Sequence, residues 1–219
     1  MSVRLENQLV SGRLVDKDAS DLAGLLQIHG FDTTRLVKVP HSYSLATKKR
    51  TEVKTDLICE STERRISIKE HKPIQLCSVG GETASFYFKT AQKNANLTKC
   101  NQINNLNVSA QLWQKKMSKN ESFLWNLTQK EKEKRSLLSA LENNPSFKRE
   151  LIKIALTGEG IFENSRAIAN WVATPEKVTE ITDDYIKKVS DNAKIDIRLK
   201  SRKGVSEVNL RIDVNMRKL

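Results

Sequence analysis

Asp56 and Lys69 stand thirteen residues apart in the stretch KTDLICESTERRISIKEH, residues 54–71, with Ser67 two residues before the lysine. These are residue types that phosphodiester hydrolysis asks for: acidic oxygens to hold Mg2+, and a cation to orient or activate the attacking water. Ser67 shares a strand face with Lys69, because side chains alternate, but it brings no carboxylate. A second acid must come from elsewhere. Glu82 lies thirteen residues after Lys69, just past Gly80-Gly81, where the pattern predicts the start of a helix. The positive end of that helix suits a carboxylate. Glu52, on the face of Asp56, and Glu60 compete with it for the role.

Together, Asp56, Ser67-Ile68-Lys69 and Glu82 resemble the PD-(D/E)XK nuclease signature in its migrated-acid form. In that form a serine often replaces the second acid and a glutamate on the following helix takes over, as in type II restriction endonucleases that cut CCGG-containing sites. The resemblance covers residues 52–90. It implies a restriction-endonuclease-like core and Mg2+-dependent cleavage of DNA, with Asp56 and Glu82 binding metal and Lys69 positioning the nucleophile. Two departures matter. Thr55 stands where that family has a proline, and Glu70-His71-Lys72-Pro73-Ile74-Gln75 lacks the Arg-Ser-Asp-Arg element of the CCGG enzymes. The catalytic arrangement therefore carries over and the target sequence does not.

The elements that must position these residues read as a mixed α/β (α+β) fold, a mixed β-sheet with flanking helices in one domain spanning 1–219. Residues 20–29 predict a helix capped by Ser20 or Asp21 and ended by Gly30. Strands are expected at 34–38, 52–59 and 64–70, the last two joined by a polar turn over 60–63, and 74–78 continues the extended pattern. A helix follows over 82–94, with Ala84, Phe88 and Ala91 on one face, and the Asn-rich segment 94–107 reads as loop. Thus the catalytic core occupies about 50–95, and a helical block about 108–192. Within that block, helices are expected at 123–141, from Pro145 to Leu156, and at 165–173 and 183–192. A C-terminal hairpin, 194–200 with 207–213 and Gly204 at the turn, closes the chain.

Composition narrows the partner. The net charge of +12 favours polyanions, above all nucleic acid, although 26 acids make this a biased globular surface and not a basic tail. Lys48-Lys49-Arg50 suit phosphate contacts, and His71, Lys72, Gln75 and Ser78, following Lys69, carry donors and acceptors for base edges. On the terminal hairpin Arg198, Lys200 and Arg202 face away from Ile195, Ile197 and Leu199, giving a basic strip or a charge-protected edge. The alternating charges of 130–135 read as a solvated helix face, and Trp113, Trp125 and Trp171 as core or interface. With no 18-residue apolar run and no apolar h-region in MSVRLENQLVSG, membrane insertion and export are not expected. Three scattered cysteines fit a reduced protein, cytoplasmic or nuclear, and a cytoplasmic location is expected.

With the basic charge, the family resemblance implies a site-specific, Mg2+-dependent endonuclease of double-stranded DNA, restriction-enzyme-like. It is expected to act as a homodimer because a double-strand cut needs two sites. Two other readings stay open: a structure-specific or junction-resolving nuclease with the same site, and a noncatalytic basic DNA-binding protein in which Asp56 and Lys69 form a plain ion pair.

Overall fold

The computed structural model describes residues 2–69, 74–113, 115–202 and 204–214. The chain begins with α1 (Ser2–Ser11) and α2 (Lys17–Ile28), then five short strands: β1 (Leu36–Lys38), β2 (Ser42–Ser44), β3 (Lys49–Thr51), β4 (Leu57–Cys59) and β5 (Arg64–Ile68). Next, β6 (Ile74–Gly80) leads into α3 (Gly81–Asn94), α4 (Asn101–Leu112), α5 (Lys119–Thr128), α6 (Lys130–Asn143) and α7 (Pro145–Thr157). Then come β7 (Trp171–Thr174), β8 (Lys177–Glu180), α8 (Asp183–Asn192) and the hairpin β9 (Ala193–Arg202) and β10 (Val205–Val214). The architecture is mixed α/β, as the order of elements predicts. Among the described residues no helix is long and apolar enough to cross a membrane.

The chain divides into two compact units, Met1–Ile74 with Leu156–Ile186 and Gln75–Ala155 with Lys187–Leu219. In the first, a five-stranded sheet has the order β1-β4-β5-β7-β8. Its β5–β7 pair is parallel and the others antiparallel. Leu57, Cys59, Ile66 and Ile68 bury their side chains in a core shared with Leu5 and Leu9 of α1 and Leu22 and Leu26 of α2. The driving force is apolar burial, worth about 1.5–3 kcal/mol for each fully buried large aliphatic side chain. The β4–β5 turn falls where the polar run 60–63 predicts it, with Glu63 in the left-handed region at φ 53°.

Helix α2 starts at Lys17, before the expected Ser20, with Asp16 as its cap residue. At its other end Gly30 takes φ 75°, and the Gly30 and Phe31 amides donate back to the Gln27 and Leu26 carbonyls. That is a Schellman ending, and the glycine makes it cheap. The expected helix at 165–173 is corrected: a 3-10 turn at Ser165–Ala167 precedes strand β7. Strand β7 itself is short, largely apolar and covered on both faces, so periodicity does not distinguish its two readings.

In the second unit β6-β10-β9 form a three-stranded sheet, and the C-terminal hairpin has the predicted extent and turn. The Asn-rich loop expected over 94–107 is corrected by α4, which buries Ile103, Leu106 and Ala110 at helical spacing. Its polar side chains satisfy one another: Gln92 Nε2 donates to Asn104 Oδ1 at 2.8 Å, and Asn107 Nδ2 donates to Gln92 Oε1 at 2.9 Å. The single helix expected over 123–141 is two helices meeting at Gln129, and the first is started by a Ser118–Glu121 capping box.

Candidate active site

Strand direction gathers the chemistry. Because β4 runs antiparallel to β1 and to β5, its start lies beside the ends of both. Lys38 therefore ends β1, Asp56 precedes β4 and Lys69 follows β5 at one rim of the sheet. The β5–β7 pairing extends past β5, since the Lys69 amide donates to Ala173 O at 2.8 Å. Ligands in open α/β sheets sit outside the carboxyl ends of strands, and β1, β5 and β7 end at this rim.

Asp56 is clamped there. Its amide donates to Ile66 O at 2.8 Å, and its Oδ2 accepts the Ile68 amide at 2.6 Å and the Ser67 hydroxyl at 3.3 Å. Ser67 is buried at 1 % exposure, and its hydroxyl orients the aspartate. Burial raises the Asp56 carboxyl above the usual aspartate range, while the Lys69 ammonium, the Ile68 amide, the Ser67 hydroxyl and a hydrogen bond from Glu6 pull the other way.

Glu6 is the residue that the sequence reading missed. It lies on α1, buried at 8 % exposure, and its carboxyl shares a hydrogen bond with Asp56. Burial, then the Asp56 carboxylate, push it up to about 7, against the ion pair with Lys38 Nζ at 3.5 Å. Its helix is fixed by Leu5 and Leu9 in the core and by Gln8, whose Oε1 accepts the Val15 and Asp16 amides at 2.8 and 3.0 Å. The signal that was available is the Leu5–Leu9 spacing, one helical turn, which puts an acid on a docked amphipathic helix.

Of the expected catalytic residues, the structure brings Asp56 and Lys69 together in the first unit. Glu82 is carried by the second unit, in the first turn of α3. Glu52 and Glu60 are exposed, Glu52 before β4 and Glu60 in the β4–β5 turn. Among the described residues no group of three or more His, Cys, Asp or Glu forms a metal cluster. The Glu6–Asp56 pair still fits Mg2+, which commonly takes one or two carboxylates and keeps water and substrate phosphate for its other positions. Two acids sharing a proton in a buried rim hold one negative charge where a divalent cation would be met by two.

The expected DNA contacts divide. Lys49 and Arg50 lie exposed on β3 of the two-stranded β2–β3 ribbon, with Lys48 at its turn at φ 52°. Arg50 pairs across the ribbon with Tyr43. His71 and Lys72 lie outside the described residues, as does the side chain of Arg202. Gln75 and Ser78 fall on opposite faces of β6, since an odd spacing on a strand reverses direction. On β9, Ile195 and Ile197 are buried as expected. The basic strip of that hairpin is interleaved with acids: Arg198 Nε bonds Asp196 at 3.2 Å, Lys134 reaches Asp196 at 3.1 Å, Arg211 bonds Asp213 at 2.7 Å, and Lys200 sits opposite Glu207. Its net positive field is therefore weaker than the sequence pattern implies.

Comparison with protein-family models, with curated proteins and with solved structures finds no match.

Proposed function

We propose that the first unit is a Mg2+-dependent nuclease acting on double-stranded DNA, with Glu6 and Asp56 as the metal-holding acids and Lys69 as the cation of the nucleophile. The observation that carries this reading is the Glu6–Asp56 carboxyl pair beside Lys69 at the strand-end rim. Its mixed sheet with two flanking helices suits a restriction-endonuclease-like core.

Each side chain then has a task. Asp56 is held in place through its Oδ2 by the Ile68 amide and the Ser67 hydroxyl. Glu6 releases its proton when the pair is loaded. A bound Mg2+ would supply charge to the scissile phosphate. Lys69 holds the attacking water and offsets the negative charge that grows on the phosphate oxygens. The water oxygen bonds to phosphorus as its proton passes to a phosphate oxygen or to solvent, the P–O ester bond breaks, and the leaving oxygen takes up a proton from solvent water. Lys48, Lys49 and Arg50 on the β2–β3 ribbon contact the DNA backbone, and the chain's charge of +12 draws the duplex in.

The test is digestion of mixed-sequence duplex DNA by the purified chain with and without Mg2+, with Lys69→Ala alongside. Discrete fragments that require Mg2+ and vanish in the variant are expected. DNA that is shifted on a gel but stays intact under all conditions would leave only the noncatalytic binder.

A further inference from the structure

The β2–β3 ribbon carries charge of one sign. Between Asp32 and Glu52 the sequence holds Arg35, Lys38, Lys48, Lys49 and Arg50 and no acid. Arg35 is paired with Asp32 and Lys38 with Glu6. Among the described residues no ion pair engages Lys48, Lys49 or Arg50, and the Arg50 Nη2 donates only to the His41 carbonyl, at 3.1 Å. The field of these three cations is therefore unopposed, unlike that of the β9–β10 hairpin, whose arginines lie against Asp196 and Asp213.

An aromatic ring stands among them. Side chains alternate along a strand, so Tyr43 and Arg50, which pair across the ribbon, share one face. The other face is turned inward: Ser44 is 2 % exposed and forms a bridge with Phe162, and the Leu45 amide donates to Ile161 O at 2.8 Å. Tyr43 points outward, 44 % exposed, on a ribbon whose turn is tied to the body of the first unit. Its hydroxyl has no hydrogen-bond partner among the described residues. Both strands connect to the acid rim, β2 starting four residues after Lys38 and β3 ending five residues before Asp56. Arg50 precedes Asp56 by six residues, so its backbone is at most about 20 Å away. That is less than one duplex turn of about 34 Å.

We propose that this ribbon seats in the major groove of duplex DNA, with Tyr43 reading base edges while Lys48, Lys49 and Arg50 hold the flanking phosphates. The inference rests on the DNA reading above and adds to it a source of sequence preference. A two-stranded ribbon fits a major groove about 12 Å wide. Phosphate contacts fix register but carry no sequence information, so preference needs a side chain on the bases. Tyr43 brings a ring for thymine methyls and a hydroxyl for base-edge acceptors such as purine N7.

The test is selection of a random-sequence duplex library by the full chain in EDTA, so that binding is read without cleavage. Fluorescence anisotropy of the selected duplex, and of its single strand, is then followed across salt concentrations. Wild type is expected to enrich a short consensus. Tyr43→Ala should lose at least one position of it and bind the wild-type consensus on the order of 10–100-fold more weakly, with the salt slope unchanged. Tyr43→Phe, which keeps the ring, should fall between them. Lys48→Ala/Lys49→Ala should weaken binding to all duplexes alike and reduce the salt slope by about 2. No consensus, tighter binding to the single strand, or a consensus unchanged in Tyr43→Ala would overturn the proposal, as would a salt slope untouched by the lysine variant. If those losses occur in a chain that cuts DNA with Mg2+, the nuclease reading survives alone. A consensus that depends on Tyr43 in a chain that never cuts would leave the ribbon standing without the nuclease.

Discussion

Ile68 donates its backbone N–H to the Asp56 carboxylate at 2.6 Å, and so ties the acid to the residue directly before Lys69. The spacing between acid and cation is thereby fixed by backbone geometry instead of by two flexible side chains. Preorganisation of this kind lowers the reorganisation needed at the moment of reaction.

On the proposed mechanism, Asp56→Asn and Lys69→Ala each lower Mg2+-dependent cleavage by roughly 10²–10⁴-fold while leaving DNA binding measurable. Glu6→Gln is expected to fall in the same range, and Glu82→Gln, Glu52→Gln and Glu60→Gln to remain active. Single-turnover cleavage rates of the six variants decide which acid partners Asp56. A Glu82→Gln enzyme as dead as Asp56→Asn would return the second metal ligand to α3.

The same acid pair sets a pH dependence of stability. Glu6 rises from the ordinary 4.5 to about 7, and Asp56 also titrates above its usual range, both chiefly through burial. A raised carboxyl means that the folded state keeps a proton the unfolded chain has lost, so stability falls as pH climbs from about 4.5 to 7. For Glu6 alone that shift corresponds to on the order of 3 kcal/mol. Glu6→Gln should flatten the decline and melt higher than wild type at pH 8 without metal. Mg2+ should raise the wild-type melting temperature at pH 8 and lose most of that effect in the variant. Thermal melts across pH 5–8, with and without Mg2+, read both outcomes.

How legible the site was follows from where its burial lies. The β4–β5 hairpin could be read because Ile66 and Ile68 alternate with polar residues, although Asp56 and Lys69, expected inside its strands, lie just before β4 and just after β5. Glu6 escaped because α1 is ten residues long and, among its described residues, Leu5 and Leu9 alone are buried apolar side chains. Strand β7 escaped for the opposite reason: a central strand next to β5 is covered on both sides and shows no alternation. In α4, the asparagines suggested loop by composition, yet Asn104 and Asn107 spend their polarity on Gln92 across the helix pair. Which partner a polar side chain finds is a tertiary fact, and no local pattern encodes it.

Arg64 carries more of the first unit than its partly exposed position suggests. Its guanidinium lies 5.1 Å from the ring centres of both Phe31 and Trp171, which meet edge to face, and its Nη1 donates to His29 O at 2.6 Å, at the end of α2. A cation there also opposes the negative end of the helix. Arg64→Ala should cost about 1–3 kcal/mol in urea unfolding, from the two ring contacts and the lost hydrogen bond. Arg64→Lys keeps the charge but has no planar fork to lie between two rings, and should recover less than half of the loss. Full recovery by lysine would reduce the effect to simple charge.

Gly158 and Gly12 provide a matched pair for separating backbone strain from steric conflict. Both have left-handed backbones, at φ 78° and φ 68°. A Cβ at Gly12 meets nothing within 4 Å, so Gly12→Ala should cost only the left-handed penalty of about 1 kcal/mol. A Cβ at Gly158 comes within 2.8 Å of Lys54 Cγ and 3.0 Å of Phe162 Cδ2. Lys54 Cγ lies close to its own backbone, the Phe162 ring is buried, and the Leu45 amide donates to the neighbouring Ile161 carbonyl at 2.8 Å. Gly158→Ala is therefore expected to cost about 2–4 kcal/mol, the strain plus the conflict. Because Lys54 stands two residues before Asp56, the variant should also lower cleavage more than Gly12→Ala does at equal folded fraction. Chemical denaturation and cleavage rates of the two alanine variants, measured side by side, test this. Equal losses of stability would mean that the Gly158 environment opens freely and that only its backbone matters.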